Sequence, residues 1–133
     1  MPQKLKLMIV DDEPNNLDLL YRTFRREFKV FRAESASLAM EIIEKEGEMA
    51  IIISDQSMPE MTGIQFLTKT KDIFPDTVRI LLSGYAEEQI NVEDNEMEQA
   101  EIFRCVTKPC SPQELKDVVQ ECLKVYKMSK GLS

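Results

Sequence analysis

Apolar residues recur along this chain in two alternating rhythms. Short runs rich in Val, Ile and Leu take turns with longer stretches whose apolar positions repeat every three or four residues. The first kind predicts strands and the second amphipathic helices. "KLKLMIV" (4–10) reads as the first strand. After Pro14, "NNLDLLYRTFRREF" keeps Leu17, Leu20, Tyr21, Phe24 and Phe28 at helical spacing. "KVFRAE" (29–34) is a second strand. "SASLAMEIIEKEG" predicts a helix capped by Ser35 or Ser37, with an apolar face of Leu38, Ala39, Ile42 and Ile43 and a stop at Gly47. "MAIIIS" (49–54) is an apolar run suited to a central strand buried on both faces. "IQFLTKTKDIF", closed by Pro75, is the third helix, and "VRILLS" (78–83) the fourth strand.

The second half is less regular. Residues 86–101 are mostly helix formers but weakly amphipathic. They hold Glu87, Glu88, Glu93, Asp94, Glu96, Glu98 and Glu101, with only Ile90, Val92, Met97 and Ala100 as anchors. "IFRCVT" (102–107) is a fifth strand. Ser111-Pro112 caps a last helix carrying Leu115, Val118, Val119, Cys122, Leu123 and Tyr126. The tail "MSKGLS" reads as frayed. Strand and helix thus alternate five times. That order predicts an α/β fold, a (βα)5 doubly wound five-stranded parallel sheet with helices on both faces. A length of 133 residues suits one core. The expected domain spans 1–127, with 128–133 a tail or the start of a linker.

Composition narrows the function. The chain carries 24 Asp and Glu against 17 Lys and Arg, a net charge of −7. This argues against direct nucleic-acid binding. There is no histidine, so His-based triads and His-ligated zinc are excluded. Any metal should be a hard cation held by oxygen. The three cysteines, Cys105, Cys110 and Cys122, do not make a disulfide framework. They read as reduced, and Met40, Met58 and Met61 as packing residues. No apolar run approaches the roughly 20 residues of a membrane span, and "MPQKLK" lacks a signal peptide's apolar stretch. The expected location is cytoplasmic.

Polar residues punctuate the strand ends. Asp11 and Asp12 follow the first strand, Asp55 the third, Ser83 the fourth and Lys108 the fifth. Sites in such sheets form outside the carboxyl ends of the strands. Three carboxylates, a hydroxyl and an ammonium would share one crevice. The acids can lie together if a divalent cation joins them.

At this point the chain resembles the receiver domain of two-component response regulators, over about residues 4–127. The matching stretches are "VDDEP" (10–14), "IISDQSMPEMTG" (52–63), "LLSGYA" (81–86) and "VTKP" (106–109). The resemblance implies a flavodoxin-like strand order 2-1-3-4-5. It implies that Asp55 accepts a phosphoryl group from a sensor histidine kinase or phosphotransfer protein. Mg²⁺ would be bound by Asp12 and Asp55, by Asp11 through water, and by the backbone carbonyl of Ser57. Ser83 and Lys108 would contact the phosphoryl oxygens, and the Lys108-Pro109 bond would be cis. Such a domain catalyses only its own phosphotransfer and dephosphorylation. It would switch an output surface involving Ser83, Gly84, Tyr85, Phe103 and Cys105. It is compatible with either a stand-alone receiver or one followed by a C-terminal effector domain in a longer protein, and with a homodimer through the 86–101 helix, fifth strand and last helix.

Some positions depart from the family pattern. Cys105 stands where many receivers carry Tyr or Phe, three residues before the lysine. Phe103 has the same strand parity and is expected to share its face. Cys110 follows "KP" where relatives often have a large aromatic. The rivals are a degenerate receiver that binds without phosphorylation and a Mg²⁺-dependent aspartyl-phosphate phosphatase. The phosphatase pattern usually needs an Asp at the position of Ser57. A flavin or nucleotide module lacks support, because no Gly-rich loop follows the first strand.

Overall fold

The computed structural model describes residues 4–84, 100–108 and 110–131. The helix expected over 86–101, apart from Ala100 and Glu101, lies outside these residues. So do Tyr85 and the Lys108-Pro109 bond.

Five strands form one parallel sheet in the order β2-β1-β3-β4-β5. They are β1 (Lys6–Val10), β2 (Lys29–Ala33), β3 (Ile51–Asp55), β4 (Val78–Ser83) and β5 (Ile102–Thr107). The period-2 alternation of a strand sends neighbouring side chains to opposite faces. On β1, Leu7 and Ile9 enter one core, while Met8 and Val10 enter the other. Ile51 and Ile53 of β3 join the first core and Ile52 the second. Each apolar run is therefore consumed by two layers, which is why β3 and β4 are buried at every residue.

Helices α1 (Pro14–Phe24) and α4 (Pro112–Ser129) cover the first face; α2 (Ala36–Glu46) and α3 (Gly63–Ile73) cover the second. Their starts follow local chemistry. Pro14 opens α1, where the missing N–H costs nothing. The Ser35 hydroxyl accepts from the Leu38 N–H, and Ser111 caps α4 in the same way. Thr62 and Gln65 form a reciprocal capping box on α3. Gly47 ends α2 at φ 84°, a left-handed conformation that only glycine adopts without strain.

Several expectations change. The helical pattern of α1 reaches Phe28, yet the helix ends at Phe24. Phe28 still packs edge-on against Phe24 with ring centres 6.2 Å apart. Leu38 is 46% exposed, so the buried face of α2 is Ala36, Ala39 and Ile43 instead. The tail is not frayed from 128: α4 runs to Ser129, and the Lys130 ammonium lies 2.9 Å from Glu48 and 3.2 Å from Asp76.

Phe103 and Cys105 do not share a face. The β4–β5 register slips between Arg79 and Ile80, which pair with Ile102 and Arg104. This bulge leaves Phe103 without an opposite residue and reverses the parity before it. Phe103 consequently packs on the α1/α4 core and Cys105 on the α2/α3 core. Arg104 lies with its guanidinium 4.6 Å from the Phe103 ring centre and reaches Glu121 of α4 at 2.8 Å.

β4 also carries a buried cation. Arg79 is 2% exposed, and its Nε donates to the Ala100 carbonyl at 2.9 Å. Its terminal nitrogens reach the carbonyls of Phe74 and Pro75 and the Glu101 carboxylate. These acceptors offset the cost of burying a charge. They also fasten the chain entering β5 to the end of α3.

Candidate functional site

The carboxyl ends of β1, β3, β4 and β5 deliver the polar residues singled out in the sequence to one edge of the sheet. Asp11 directly follows β1 and is 1% exposed. Its carboxylate accepts from the Glu13 N–H at 2.9 Å and the Asn16 amide at 3.2 Å. Asp12 beside it is exposed. Asp55 is the last residue of β3 and is buried. Carboxylate oxygens of Asp11, Asp12 and Asp55 lie within 4.8 Å of one another. The Lys108 ammonium reaches back from the end of β5 to Asp55 at 2.7 Å and stands 3.7 Å from Asp11. The Lys108 N–H donates to the Ser83 carbonyl at 2.6 Å, which ties the ends of β4 and β5. Ser83 is 2% exposed, one residue beyond Leu82, the register partner of Asp55. Gly84 follows it and is exposed.

One ammonium thus pairs with two of the three clustered carboxylates. Burial pushes the Asp55 carboxyl above the ordinary carboxylate range; the Lys108 hydrogen bond pulls it down, while the charges of Asp11 and Asp12 push it up further. Burial works against the Lys108 ammonium, but the Asp55 hydrogen bond and the charges of Asp11, Asp55 and Glu13 outweigh it and leave its pKa raised. The site therefore holds its lysine charged and has room for more positive charge. The donor set is all oxygen, as a hard divalent cation requires, and its spacing fits metal–oxygen bonds of about 2.0–2.6 Å. Burial raises the pKa of the Cys110 thiol and pushes that of Cys122 up to about 12. Both are protonated, poorly nucleophilic thiols.

Two contributors were missed in the sequence. Gln56 follows Asp55 and is bonded on three sides. Its N–H donates to the Leu82 carbonyl at 2.8 Å, and its own carbonyl accepts from the Gly63 N–H at 3.0 Å. Its side-chain oxygen accepts from the Ile64 N–H at 2.9 Å. Gly63, the first residue of α3, lies against the Asp55 backbone: a Cβ there would stand 2.3 Å from the Asp55 carbonyl oxygen. A glycine immediately before the third apolar helix pattern was the available signal. Ser57 is exposed in the loop after Gln56.

A doubly wound parallel sheet in the order β2-β1-β3-β4-β5, with carboxylates at the ends of the central strands β1 and β3 and a lysine after the edge strand β5, defines a flavodoxin-like α/β fold. The comparisons narrow this class. The chain matches the response regulator receiver domain over residues 7–120 and belongs to that family. It is 33% identical, over 93% of its length, to the hydrogenase transcriptional regulatory protein HoxA of Bradyrhizobium diazoefficiens, covering 25% of that protein. The chain therefore spans about a quarter of the length of this relative. It is 29% identical, over 89% of its length, to the sporulation initiation phosphotransferase F of Bacillus subtilis, covering 93% of it. In fold it resembles the signal receiver domain of an HD domain-containing protein from Pseudomonas fluorescens Pf-5, with a TM-score of 0.87, 23% identity and coverage of 98% and 95% of the two chains. Receivers are modules of two-component phosphorelays. Among the described residues, no helix is long and apolar enough to cross a membrane.

Proposed function

We propose that this receiver is a phosphoacceptor and that Asp55 is the residue modified. The observation that carries the reading is the position of its carboxylate, 2.7 Å from the Lys108 ammonium and beside Asp11 and Asp12. An Asp55 oxygen attacks the phosphorus of a kinase or phosphotransfer-protein phosphohistidine in line. The P–N bond breaks, and the imidazole nitrogen keeps the electron pair. Phosphoryl transfer depends on positioning and charge neutralisation more than on covalent help. Lys108 pairs with a phosphoryl oxygen and Ser83 hydrogen-bonds another. Asp11, Asp12, Asp55 and the Ser57 carbonyl would hold Mg²⁺, which supplies positive charge to the equatorial oxygens when bound.

The new group carries about −1.5 to −2 charge, enough to draw Ser83 and Lys108 into new positions. The switch then runs through Ser83 and the chain after Gly84, because Cys105 is too small for an aromatic swing. A longer protein with an effector domain would use that change as its output. Incubation with acetyl phosphate and Mg²⁺, followed by intact mass, tests the reading. Wild type should gain one phosphoryl group and Asp55→Asn none. Equal labelling of both, or none of wild type, would refute it; turnover of a generic phosphomonoester would favour the phosphatase reading.

A further inference from the structure

The geometry points to Gln56 as a positioning residue for the metal, acting through the backbone that joins Asp55 to Ser57. This rests on the reading of Asp55 and Ser57 given above and extends it to a residue with no assigned role. The first turn of a helix leaves N–H groups without intrahelical partners. In α3 the first three are each satisfied. Gly63 N–H goes to the Gln56 carbonyl, Ile64 N–H to the Gln56 side chain, and Gln65 N–H to the Thr62 hydroxyl. Two of the three acceptors therefore belong to one residue, which lies between the phosphoacceptor and the carbonyl ligand. On its other side Gln56 is pinned to β4 by its N–H to Leu82.

The loop 57–62 thus leaves and returns through a single clamped residue. Ser57 begins that loop and is itself exposed. Its carbonyl inherits its direction from the peptide plane that Gln56 fixes, since only two soft dihedrals separate successive planes. A glutamine suits this task. Its side-chain carbonyl spans to the second N–H of the helix, and its neutrality adds no fourth negative charge beside Asp55. Partners that orient metal ligands without touching the metal commonly matter 10- to 100-fold in affinity.

Two variants separate reach from polarity. Gln56→Asn keeps the amide but is one methylene too short to meet Ile64. Gln56→Glu keeps the reach and an acceptor. Apparent Mg²⁺ affinity is read from thermal midpoints across a metal titration, and protection of the Gly63 and Ile64 amides from hydrogen exchange. Gln56→Asn should bind Mg²⁺ on the order of tenfold more weakly and lose protection at Ile64. Gln56→Glu should bind at least as tightly as wild type with protection kept. If Gln56→Asn loses thermal stability but keeps wild-type Mg²⁺ affinity, Gln56 is a helix cap alone and the inference fails. Equal weakening in both variants also overturns it, because reach would not be the variable. If wild type itself shows no Mg²⁺-dependent shift, the underlying site reading fails instead.

Discussion

Replacing Gly63 by alanine should strike the site through the backbone. The added Cβ would lie 2.3 Å from the Asp55 carbonyl oxygen, 2.8 Å from a Leu81 methyl and 3.0 Å from the Asp55 carbonyl carbon. Comfortable contacts lie near 3.5–4 Å, so α3 or the end of β3 must yield by roughly 1 Å. Alanine gains up to about 1 kcal/mol of helix propensity, but less at the first helical position. Forcing a methyl into a packed site costs about 1–3 kcal/mol. The neighbour is backbone, so the upper part of that range applies, and a net loss of about 1–3 kcal/mol follows. With an unfolding entropy of about 2.1 cal/mol/K per residue over 133 residues, the midpoint should fall by about 4–10 °C. The displaced atom is the backbone carbonyl of Asp55, the proposed phosphoacceptor. A misplacement near 1 Å costs up to about 100-fold in rate, so acetyl-phosphate labelling should slow by about 10- to 100-fold. Gly84→Ala is the control for the steric effect on stability, since a Cβ there meets nothing within 4 Å among the described residues. Differential scanning calorimetry and timed mass spectrometry read both effects. A Gly63→Ala protein as stable and as quickly labelled as wild type would show that the close approach has no consequence.

Arg79→Met keeps much of the volume but strips the donors from the Ala100, Phe74 and Pro75 carbonyls. Urea unfolding should show a loss of about 2–4 kcal/mol, and a change below about 0.5 kcal/mol would mean that water replaces the guanidinium. Burial, with the Glu48 carboxylate accepting the Tyr126 hydroxyl at 2.6 Å, pushes that phenol up to about 12. A folded pKa above the free value of about 10 gives stability that is present below pH 10 and lost as pH rises through 12. The stability gap between wild type and Tyr126→Phe should therefore shrink over that window, and a constant gap would count against the link.

The acids Asp11 and Asp55 were legible because each directly follows an apolar run suited to a buried strand, and Lys108 because it ends the last strand pattern before Pro109. Strand parity and parallel order then bring them to one edge without any knowledge of contacts. Gln56 and Gly63 were not legible in the same way. Their roles depend on how closely α3 approaches β3, a tertiary distance that periodicity does not encode. Phe103 was misplaced because a bulge adds one residue to β5, and nothing in "IFRCVT" marks it. Leu38 fits a helical pattern on spacing alone, but burial depends on which stripe the sheet selects. The end of α4 was underestimated because Lys130 is held by Glu48 and Asp76, partners far away in the chain.

Arg79 and Ser83 occupy opposite ends of β4, about 13 Å apart at a strand's rise per residue. Ser83 marks where the chain leaves the sheet, and Arg79 grips Ala100 where it returns. The chain leaving after Ser83 and the chain entering β5 at Ala100 are thus both held by β4. A change of chain length between these two anchors therefore need not alter the β4 register that places Ser83 next to Leu82, the partner of Asp55. The end of the sheet that carries Asp55 and Lys108 is thereby set apart from the end that Arg79 fastens.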